Sequence, residues 1–322
     1  MTNAVLLLPR LDRLLAALPG QDIWQWLGRS DRIAAAPASA HAIPHAMFEV
    51  VPEEFAQAAV ARHGECDDAG MYTWLRADPC WLQPDMNSLR MMAWGQMSMS
   101  QKDAEDLAAI LRPLLGDEGF EFSIPHPERW YLRLPLGSEL PRFSHPQDVL
   151  GDDVERHLPP GNSGLRWRRL LNEVQMSLHQ HPVSQRREAA GLAPVNSLWF
   201  WGGGRLPNRV RAARSQYFSD DPIMRGLARQ AAVPCLPTPA GLNALAPVQR
   251  SGVFDLRMVA PTALNADWLE PLIQRLRSAE LDEIVFGFAA GERFQLRRRH
   301  RWRFWRKPLA GPVAGPLTDK RG

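Results

Sequence analysis

The sequence predicts an α/β fold, in which a mixed, largely parallel sheet is flanked by helices and ends in a C-terminal β-hairpin. The 322 residues are 45% hydrophobic and 23% charged, which is typical of a globular protein with a sizeable core. In the second half, short apolar segments alternate with segments of helical periodicity, as strands and crossover helices do. Near the end, Glu283–Phe288 and Arg293–Arg299 flank Ala289-Ala290-Gly291, which predicts the hairpin.

The first predicted elements are a strand over Ala4–Leu8 and a helix over Arg10–Leu18. Leucines recur in this helix at the spacing of one buried face, and Pro19-Gly20 ends it. Ala34–Pro44 is rich in alanine and proline and predicts a loop. Glu53–His63 predicts the next helix, because Pro52 precedes it and Gly64 follows it.

The middle of the chain predicts short strands and one capped helix. Tyr72–Arg76 and Cys80–Leu82 are predicted strands, separated by a turn at Asp78-Pro79. Ser100 is a predicted N-cap, with Asp103 three residues further on. The next predicted elements are strands over Phe120–Ile124 and Trp130–Leu134 and a proline-rich crossing over Pro135–Pro160.

The second half predicts a helix over Leu165–His179 and a buried strand over Ser197–Trp201 that runs into a turn at Gly202-Gly203-Gly204. A short helix is expected after Asp220-Asp221-Pro222, since aspartate caps helices and proline favours their first position. The remaining predicted elements are a strand over Phe254–Val259 and a helix over Asp267–Ala279.

For the domain organisation, we expect an N-terminal α/β segment over residues 1–125. A second α/β segment over residues 126–307 ends in the hairpin, with one integrated domain as the alternative. From Pro308 onward, proline and glycine recur without a period, which predicts a disordered tail over residues 308–322.

The cysteines and the N-terminus bear on the compartment. Cys66, Cys80 and Cys235 form no close pair, so they predict neither a disulfide framework nor a zinc knuckle. The apolar run Ala4–Leu8 is too short for a signal peptide, and no stretch reaches the ~18 apolar residues of a membrane helix. We therefore expect a cytoplasmic protein.

Asn196–Arg205 is a candidate anion site. Three glycines let the backbone approach a ligand closely, their amides can hold an anion, and Arg205 adds a positive charge. The run matches neither a Walker loop nor the dinucleotide fingerprint. From these residues alone, a plain tight turn is the favoured alternative.

Histidines and paired aspartates are the other candidate polar groups. His179 and His181 lie at a helix end, and no carboxylate or cysteine cluster completes a ligand set, so a metal site is disfavoured. The pairs Asp67-Asp68, Asp152-Asp153 and Asp220-Asp221 can serve acid–base chemistry, but each also lies where caps and turns favour aspartate.

Arg293–Lys307 carries eight cations and no acidic residue, and Trp302, Phe304 and Trp305 are interleaved with the cations. Arginine beside aromatic rings suits single-stranded nucleic acid. The alternative is an edge strand whose aromatic residues pack inward, and it is favoured because the rest of the chain lacks a matching basic face. The basic residues are Arg293, Arg297, Arg298, Arg299, Arg301, Arg303, Arg306 and Lys307.

Three stretches of the sequence carry one resemblance: Ser144–Gly151, Leu178–Val183 with Arg187, and Pro194–Gly204. Together they resemble the archaeal-type cofactor-independent phosphoglycerate mutases of the alkaline phosphatase superfamily. The resemblance covers about a third of the chain, residues 130–242. It implies an α/β fold and, in that family, phosphoryl transfer by a serine or threonine nucleophile and two metal ions.

Over its whole length, the chain also resembles a bacterial family of regulatory proteins, the E type of a pathogenicity-factor regulation cluster. The residues that carry this resemblance include Trp130–Leu134, Asn172–Met176 and Trp302–Arg306. The resemblance implies a regulatory association.

The chain departs from the mutase pattern at the metal ligands. The opening strand continues as Leu6-Leu7-Leu8-Pro9-Arg10, where the family has Asp-Gly-x-Gly-Asp. The late strand offers Asp255 but no nearby histidine, and His300 is the only histidine beyond His181. These departures disfavour two-metal phosphoryl transfer.

We therefore expect a non-catalytic, pseudoenzyme-like regulatory or metabolite-sensing protein on a phosphoglycerate-mutase-like scaffold, with no cofactor and with a phosphorylated small molecule or a protein as its partner. One alternative is an active mutase or phosphotransferase holding Mn²⁺ or Zn²⁺. The other is a nucleic-acid-binding regulator acting through Arg293–Lys307. The expected anion-site residues are Asn196, Gly202, Gly203, Gly204 and Arg205, with Arg187, His145 and Asp148 secondary.

Overall fold

The computed structural model describes residues 3–33, 42–86, 88–246 and 251–309. The predicted tail beyond residue 309 and residues 34–41 of the predicted loop lie outside the described residues. No helix among the described residues is long and apolar enough to cross a membrane.

The strands are, in chain order, β1 (Asn3–Leu8), β2 (Asp31–Ile33), β3 (Phe48–Val51), β4 (Thr73–Asp85), β5 (Ser88–Trp94), β6 (Glu121–His126), β7 (Arg129–Leu134), β8 (Ser197–Gly204), β9 (Arg209–Ala212), β10 (Tyr217–Phe218), β11 (Cys235–Leu236), β12 (Val253–Asp255), β13 (Glu283–Phe288) and β14 (Arg293–Arg297). The α-helices are α1 (Leu11–Ala17), α2 (Asp22–Arg29), α3 (Ala42–Met47), α4 (Gln57–Cys66), α5 (Gln101–Asp117), α6 (Pro146–Val149), α7 (Gly161–Leu178), α8 (Pro182–Ala189), α9 (Pro222–Gln230), α10 (Pro261–Ala263) and α11 (Glu270–Arg277).

The chain divides into two compact units that interleave in sequence. The first comprises Met1–Glu49, Arg211–Met224 and Ala228–Gly322, and the second comprises Val50–Val210 and Arg225–Leu227. Residue 125, where the sequence predicts a boundary, falls inside the second unit.

The first unit contains a seven-stranded sheet in the order β11-β10-β12-β1-β13-β14-β2. The pairs from β11 to β13 are parallel, and β14 is antiparallel to both β13 and β2. This confirms the predicted mixed, largely parallel sheet. β1 is buried from Ala4 to Leu8, as expected of an apolar strand with a partner on each edge.

The C-terminal hairpin is also confirmed. β13 and β14 pair in antiparallel register from Glu283 with Arg297 to Gly287 with Arg293. The predicted second strand extends two residues too far, because the chain leaves the sheet after Arg297 and forms a 3₁₀ turn over Arg298–Trp302.

Helices cover this sheet with apolar side chains. Trp24 and Trp26 of α2 belong to its core, and the Trp24 indole donates a hydrogen bond to the carbonyl of Leu18 at 2.6 Å. The sequence analysis missed α2. The predicted helix at Asp267–Ala279 begins earlier, because α10 leads through a π-helical turn over Leu264–Leu269 into α11.

The second unit is an antiparallel sheet in the order β5-β4-β7-β6, and β8 also pairs with β4. Helices α5 and α7 contribute Leu107, Leu111, Trp167 and Leu170 to its core. The predicted cap of α5 is confirmed, since the Ser100 hydroxyl accepts a hydrogen bond from the Asp103 amide at 3.1 Å.

The predicted turn at Asp78-Pro79 is wrong, because β4 is one continuous strand through both residues. Asp78 accepts hydrogen bonds from the distant indoles of Trp94 and Trp201 instead of closing a local turn. Pro79 pairs with Leu198 of β8, and on the other edge of β4 it lies between the residues that pair with β7 and those that pair with β5.

The predicted turn at Gly202-Gly203-Gly204 is also wrong, since all three glycines belong to β8. Gly203 is closely packed, since a Cβ atom there would lie 2.6 Å from Leu140 Cδ1 and 2.9 Å from Leu75 Cδ1 and both leucine side chains would have to shift. Gly202 and Gly204 have positive φ values of 66° and 139°, which glycine alone adopts readily.

Candidate functional site

The side chain of Asn196 links two strands through hydrogen bonds. Its amide oxygen accepts a hydrogen bond from the Leu82 backbone amide at 2.8 Å, and its amide nitrogen donates one to the Leu82 carbonyl at 2.7 Å. The side chain thereby ties the start of β8 to β4. Since both hydrogen-bonding ends of the side chain are engaged, Asn196 acts as a structural residue in this conformation.

The glycine end of β8 lies against the start of α4. A Cβ atom on Gly202 would lie 3.2 Å from the Ala58 amide nitrogen, and one on Gly204 would lie 2.8 Å from Ala56 Cβ. Arg205 follows directly and is exposed, and its Nε donates a hydrogen bond to Thr73 Oγ1 at 3.3 Å. The first turn of a helix and an exposed guanidinium are two features that favour an anion.

Arg187 is buried and bound to backbone carbonyls. Its guanidinium donates to the Ala193 carbonyl at 2.8 Å, to the Ser98 carbonyl at 3.4 Å and to the Met97 carbonyl. Burial lowers the pKa of this guanidinium. The guanidinium of Arg187 thus holds three loop carbonyls together through hydrogen bonds. The structure does not bring Arg187 to the glycine end of β8.

His145 and Asp148 lie at the short helix α6. The His145 Nδ1 accepts a hydrogen bond from the Gln147 amide at 3.2 Å as an N-cap. The imidazole packs edge-on against Trp201, with ring centroids 4.7 Å apart, so the structure places His145 next to β8. Asp148 is exposed on the same helix.

The acidic pairs take mainly structural positions. Asp68 binds Arg62, Asp153 accepts a hydrogen bond from the Glu155 amide at 3.2 Å, and Asp221 accepts one from the Ile223 amide at 2.8 Å. The capping role predicted for Asp220-Asp221 is thus confirmed at Asp221. His181 caps α8 by accepting a hydrogen bond from the Val183 amide at 3.2 Å.

Sequence reasoning missed a buried ion pair in the second unit. The Arg76 guanidinium donates to both oxygens of Asp78, at 2.9 and 2.8 Å, and both side chains are nearly inaccessible to solvent. The indoles of Trp201 and Trp94 donate to the same carboxylate at 2.8 and 3.1 Å. Burial opposes the charge on Arg76, but the Asp78 carboxylate raises its pKa overall. The residues form a saturated structural network.

Sequence reasoning also missed a cluster at the carboxyl edge of the parallel strands, where α/β sheets bind ligands. Arg257 follows β12 and donates to Asp255 at 2.7 and 2.8 Å and to Asp221 at 2.6 Å. The Ser219 hydroxyl, at the end of β10, donates to Asp255 at 2.7 Å. The predicted strand Phe254–Val259 ends at Asp255, and the chain then turns so that Arg257 reaches back to it.

The pKa values follow from this geometry. Burial opposes ionisation of Asp255, but the charge and hydrogen bonds of Arg257 and the Ser219 hydroxyl hold its pKa below the ordinary range. Burial likewise opposes the charge on Arg257, and the two carboxylates raise its pKa. One guanidinium therefore occupies the space between the carboxylates of Asp221 and Asp255.

These residues do not fit a two-metal centre. The described residues hold no group of three or more histidine, cysteine, aspartate or glutamate side chains placed to bind a metal ion. The carboxylates that do converge, Asp221 and Asp255, are bound to Arg257. A hard divalent ion needs several free oxygen ligands or imidazoles.

The basic segment divides into paired and exposed cations. Arg297 binds Glu283 at 2.8 Å, and Arg303 binds Asp31 at 2.5 Å. Arg306 donates to the Ser30 carbonyl at 3.2 Å, and Arg293 lies half-buried in β14. The remaining cations, Arg298, Arg299, Arg301 and Lys307, are exposed.

The described units define an α/β protein whose convergent carboxylates are bound by arginine.

No protein-family model matches the chain. It is distantly similar in sequence to 2,3-bisphosphoglycerate-independent phosphoglycerate mutases. The probable enzyme of Geobacter sulfurreducens is 30% identical over 129 residues, which are 39% of this chain and 32% of that protein. The enzyme of Methanosarcina barkeri is 32% identical over 111 residues, 34% of this chain and 28% of that protein. The chain thus spans about a third of the length of these curated relatives.

Two solved structures are weakly similar. A cofactor-independent phosphoglycerate mutase from Thermoplasma acidophilum has a TM-score of 0.40 and 16% identity, over 92% of this chain and 89% of that one. The PH0037 protein from Pyrococcus horikoshii has a TM-score of 0.43 and 12% identity, over 92% and 87% of the two chains. The regional sequence similarity is therefore the informative relationship.

Proposed function

We propose that this protein acts by binding rather than catalysis, as a regulatory sensor of a phosphorylated small molecule on a scaffold related to the phosphoglycerate mutases. The observation that carries the proposal is the position of Arg257, whose guanidinium bridges Asp221 and Asp255 at the carboxyl edge of the parallel strands. A metal-dependent enzyme keeps such carboxylates free for its ions.

The charge of this cluster supports the proposal. Two carboxylates and one guanidinium leave a net negative charge, which repels a phosphoryl group unless a metal intervenes. Displacing Arg257 would leave the buried Asp255 carboxylate without its cation, and breaking a buried pair in this way is strongly unfavourable.

For the ligand site, the proposal keeps the glycine end of β8. Arg205 is exposed there beside the first turn of α4, and the α4 N-cap residue Ala56 has no side chain able to accept a hydrogen bond from the helix amides. The regional similarity to phosphoglycerate mutases supports a phosphorylated three-carbon acid as the ligand class.

Isothermal titration with 3-phosphoglycerate, 2-phosphoglycerate and inorganic phosphate tests the sensor proposal. We expect binding that Arg205→Ala weakens by about ten- to a hundredfold, since a charged hydrogen bond contributes about 1.5–3 kcal/mol. Arg90→Ala is the matched control, because Arg90 is an exposed cation of the same unit that pairs with Asp85, at the end of β4 opposite to the residue that pairs with Gly204. No heat with any of the three compounds refutes the sensor proposal.

A mutase assay separates binding from the enzyme alternative. The protein is assayed with 3-phosphoglycerate before and after addition of Mn²⁺ or Zn²⁺, and its metal content is measured by elemental analysis. We expect no metal-dependent turnover. Stoichiometric bound metal with turnover that a chelator abolishes would establish the enzyme instead.

A further inference from the structure

The segment that follows β14 is held firmly to the first unit. Arg303 binds the carboxylate of Asp31 at 2.5 Å, and the Leu309 amide donates to the Trp24 carbonyl at 2.8 Å. Leu309 also packs against the apolar core of this unit. The conformation of the residues between these anchors is therefore built into the fold.

Beside and between these anchors, three large aromatic side chains face solvent. Trp302 is 64% exposed, Phe304 75% and Trp305 69%. The sequence alternative, in which these rings pack inward on an edge strand, is therefore wrong. A fold that tethers this segment and still exposes three rings presents an apolar surface of the kind that marks interaction sites.

The cations around these rings are available to a ligand. Arg298, Arg299 and Arg301 are exposed, and none of them forms an ion pair within the described part of the chain. The Arg301 guanidinium lies 4.7 Å from the centroid of the Trp302 ring. No acidic residue occurs between positions 297 and 307. The surface is thus strongly positive as well as aromatic.

We propose that residues 298–307, the Arg/Trp surface, bind single-stranded nucleic acid. Exposed rings can stack on unpaired bases, and neighbouring guanidinium groups neutralise the phosphates between them. Exposed cations flank the three rings along the chain, with Arg298, Arg299 and Arg301 before Trp302 and Lys307 after Trp305. A strand whose bases stack on the rings would therefore have its phosphates near these cations.

Two other polyanions fit the surface less well. An anionic membrane is bound by a helix that separates an apolar face from a basic one. Here the backbone is a 3₁₀ turn followed by irregular structure, and the cations are mixed with the rings. A nucleic-acid duplex hides the base faces on which the rings would stack. The single strand is therefore the occupant that uses both features.

Fluorescence anisotropy with a labelled oligothymidylate and a labelled oligouridylate of about twelve nucleotides tests the proposal on the full chain. We expect binding whose logarithmic salt slope is about −2 to −3, which corresponds to three or four neutralised phosphates on a single strand. Binding should quench tryptophan fluorescence, because Trp302 and Trp305 are exposed to the bases. A duplex of the same length should bind more weakly.

Two sets of variants separate stacking from charge. Trp302→Ala and Trp305→Ala should each weaken binding by about tenfold with little change in the salt slope. Arg299→Gln with Arg301→Gln should instead reduce the slope by about one to two. Tyr72→Ala is the matched control, because Tyr72 is a partly exposed ring under the Arg133 guanidinium in the second unit, with Arg133 4.4 Å from its centroid.

Several results would overturn the proposal. One is no binding to either oligonucleotide, and another is binding that the tryptophan variants leave unchanged. Displacement of the oligonucleotide by polyglutamate at equal charge would show a surface for acidic proteins. Stronger binding to vesicles of phosphatidylglycerol would show a membrane surface. Because all substituted side chains are exposed, unchanged thermal unfolding of the variants confirms that they fold.

Discussion

Arg257 forms a bidentate ion pair with Asp255, two residues earlier in the chain. Its Nε lies 2.8 Å from one carboxylate oxygen and its Nη2 lies 2.7 Å from the other. The same guanidinium binds Asp221, which comes from a different strand end. An organic cation thereby joins two parallel strands at the edge where an α/β sheet ordinarily presents its ligand site. The proposal of a binding protein depends on this relationship.

Arg257→Gln should destabilise the first unit by about 3–5 kcal/mol, because it leaves the buried Asp255 carboxylate without its cation. Urea unfolding measures the change. Arg10→Gln is the control, since Arg10 and Asp12 form an exposed pair whose loss should leave the stability almost unchanged. The double variant Arg257→Gln with Asp255→Asn should recover part of the loss. A loss below about 1 kcal/mol in Arg257→Gln would contradict the inferred role of the pair.

Acid should weaken this unit through Asp255. The pKa of Asp255 is lowered in the folded state, so its contribution is complete above the unfolded pKa of about 3.9 and is lost as the pH falls below it towards the folded pKa. Unfolding free energies measured from about pH 6 down to about pH 3 should fall less steeply in Asp255→Asn than in the unsubstituted protein. Parallel curves would show that Asp255 has an ordinary pKa.

Asp78→Asn should destabilise the second unit by about 3–5 kcal/mol, because the buried Arg76 loses its counter-charge. The indoles of Trp94 and Trp201 also bind this carboxylate, so we expect a shift in tryptophan emission. Chemical unfolding followed by fluorescence measures both effects. Asp85→Asn, on the same strand but half-exposed, should change neither by a measurable amount.

Gly203→Ala should cost about 1 kcal/mol, since its Cβ would lie 2.6 Å from Leu140 Cδ1 and 2.9 Å from Leu75 Cδ1, and the ends of both leucine side chains can shift. Gly116→Ala, in α5 with open space around the added atom, should instead stabilise by about 0.5–1 kcal/mol. Thermal unfolding compares the two variants. Equal effects of the same sign would contradict the packing role assigned to Gly203.

Patterns confined to one element were predictable from the sequence. The leucine periodicity of α1, the Ser100 cap and the β13–β14 hairpin each depend on neighbours within a few residues, and all are present. Element ends were less predictable. The predicted helix over Leu165–His179 begins instead at Gly161, because its first turn has no side-chain cap to mark it.

The candidate sites were only partly predictable. Asn196 and Arg187 were predicted as anion-site residues, and the structure engages both in hydrogen bonds to the backbone. Asp78 and Arg257 carried no local signal. Asp78 precedes a proline, a pattern that predicts a turn. Its hydrogen-bond partner, the Trp201 indole, lies 123 positions further along the chain.

Composition, periodicity and capping chemistry were enough to specify the α/β class, the hairpin and the position of the basic aromatic segment, because each is encoded by residues near one another in the chain. Packing between distant strands specified which charges meet. This packing brought Asp221 to Arg257, which lies 36 positions later in the chain. It also bound Arg303 to Asp31 and left the neighbouring Trp302 and Trp305 exposed to solvent. Such pairings depend on the whole folded arrangement, since the energy of a buried charge is set by the partners that folding brings to it.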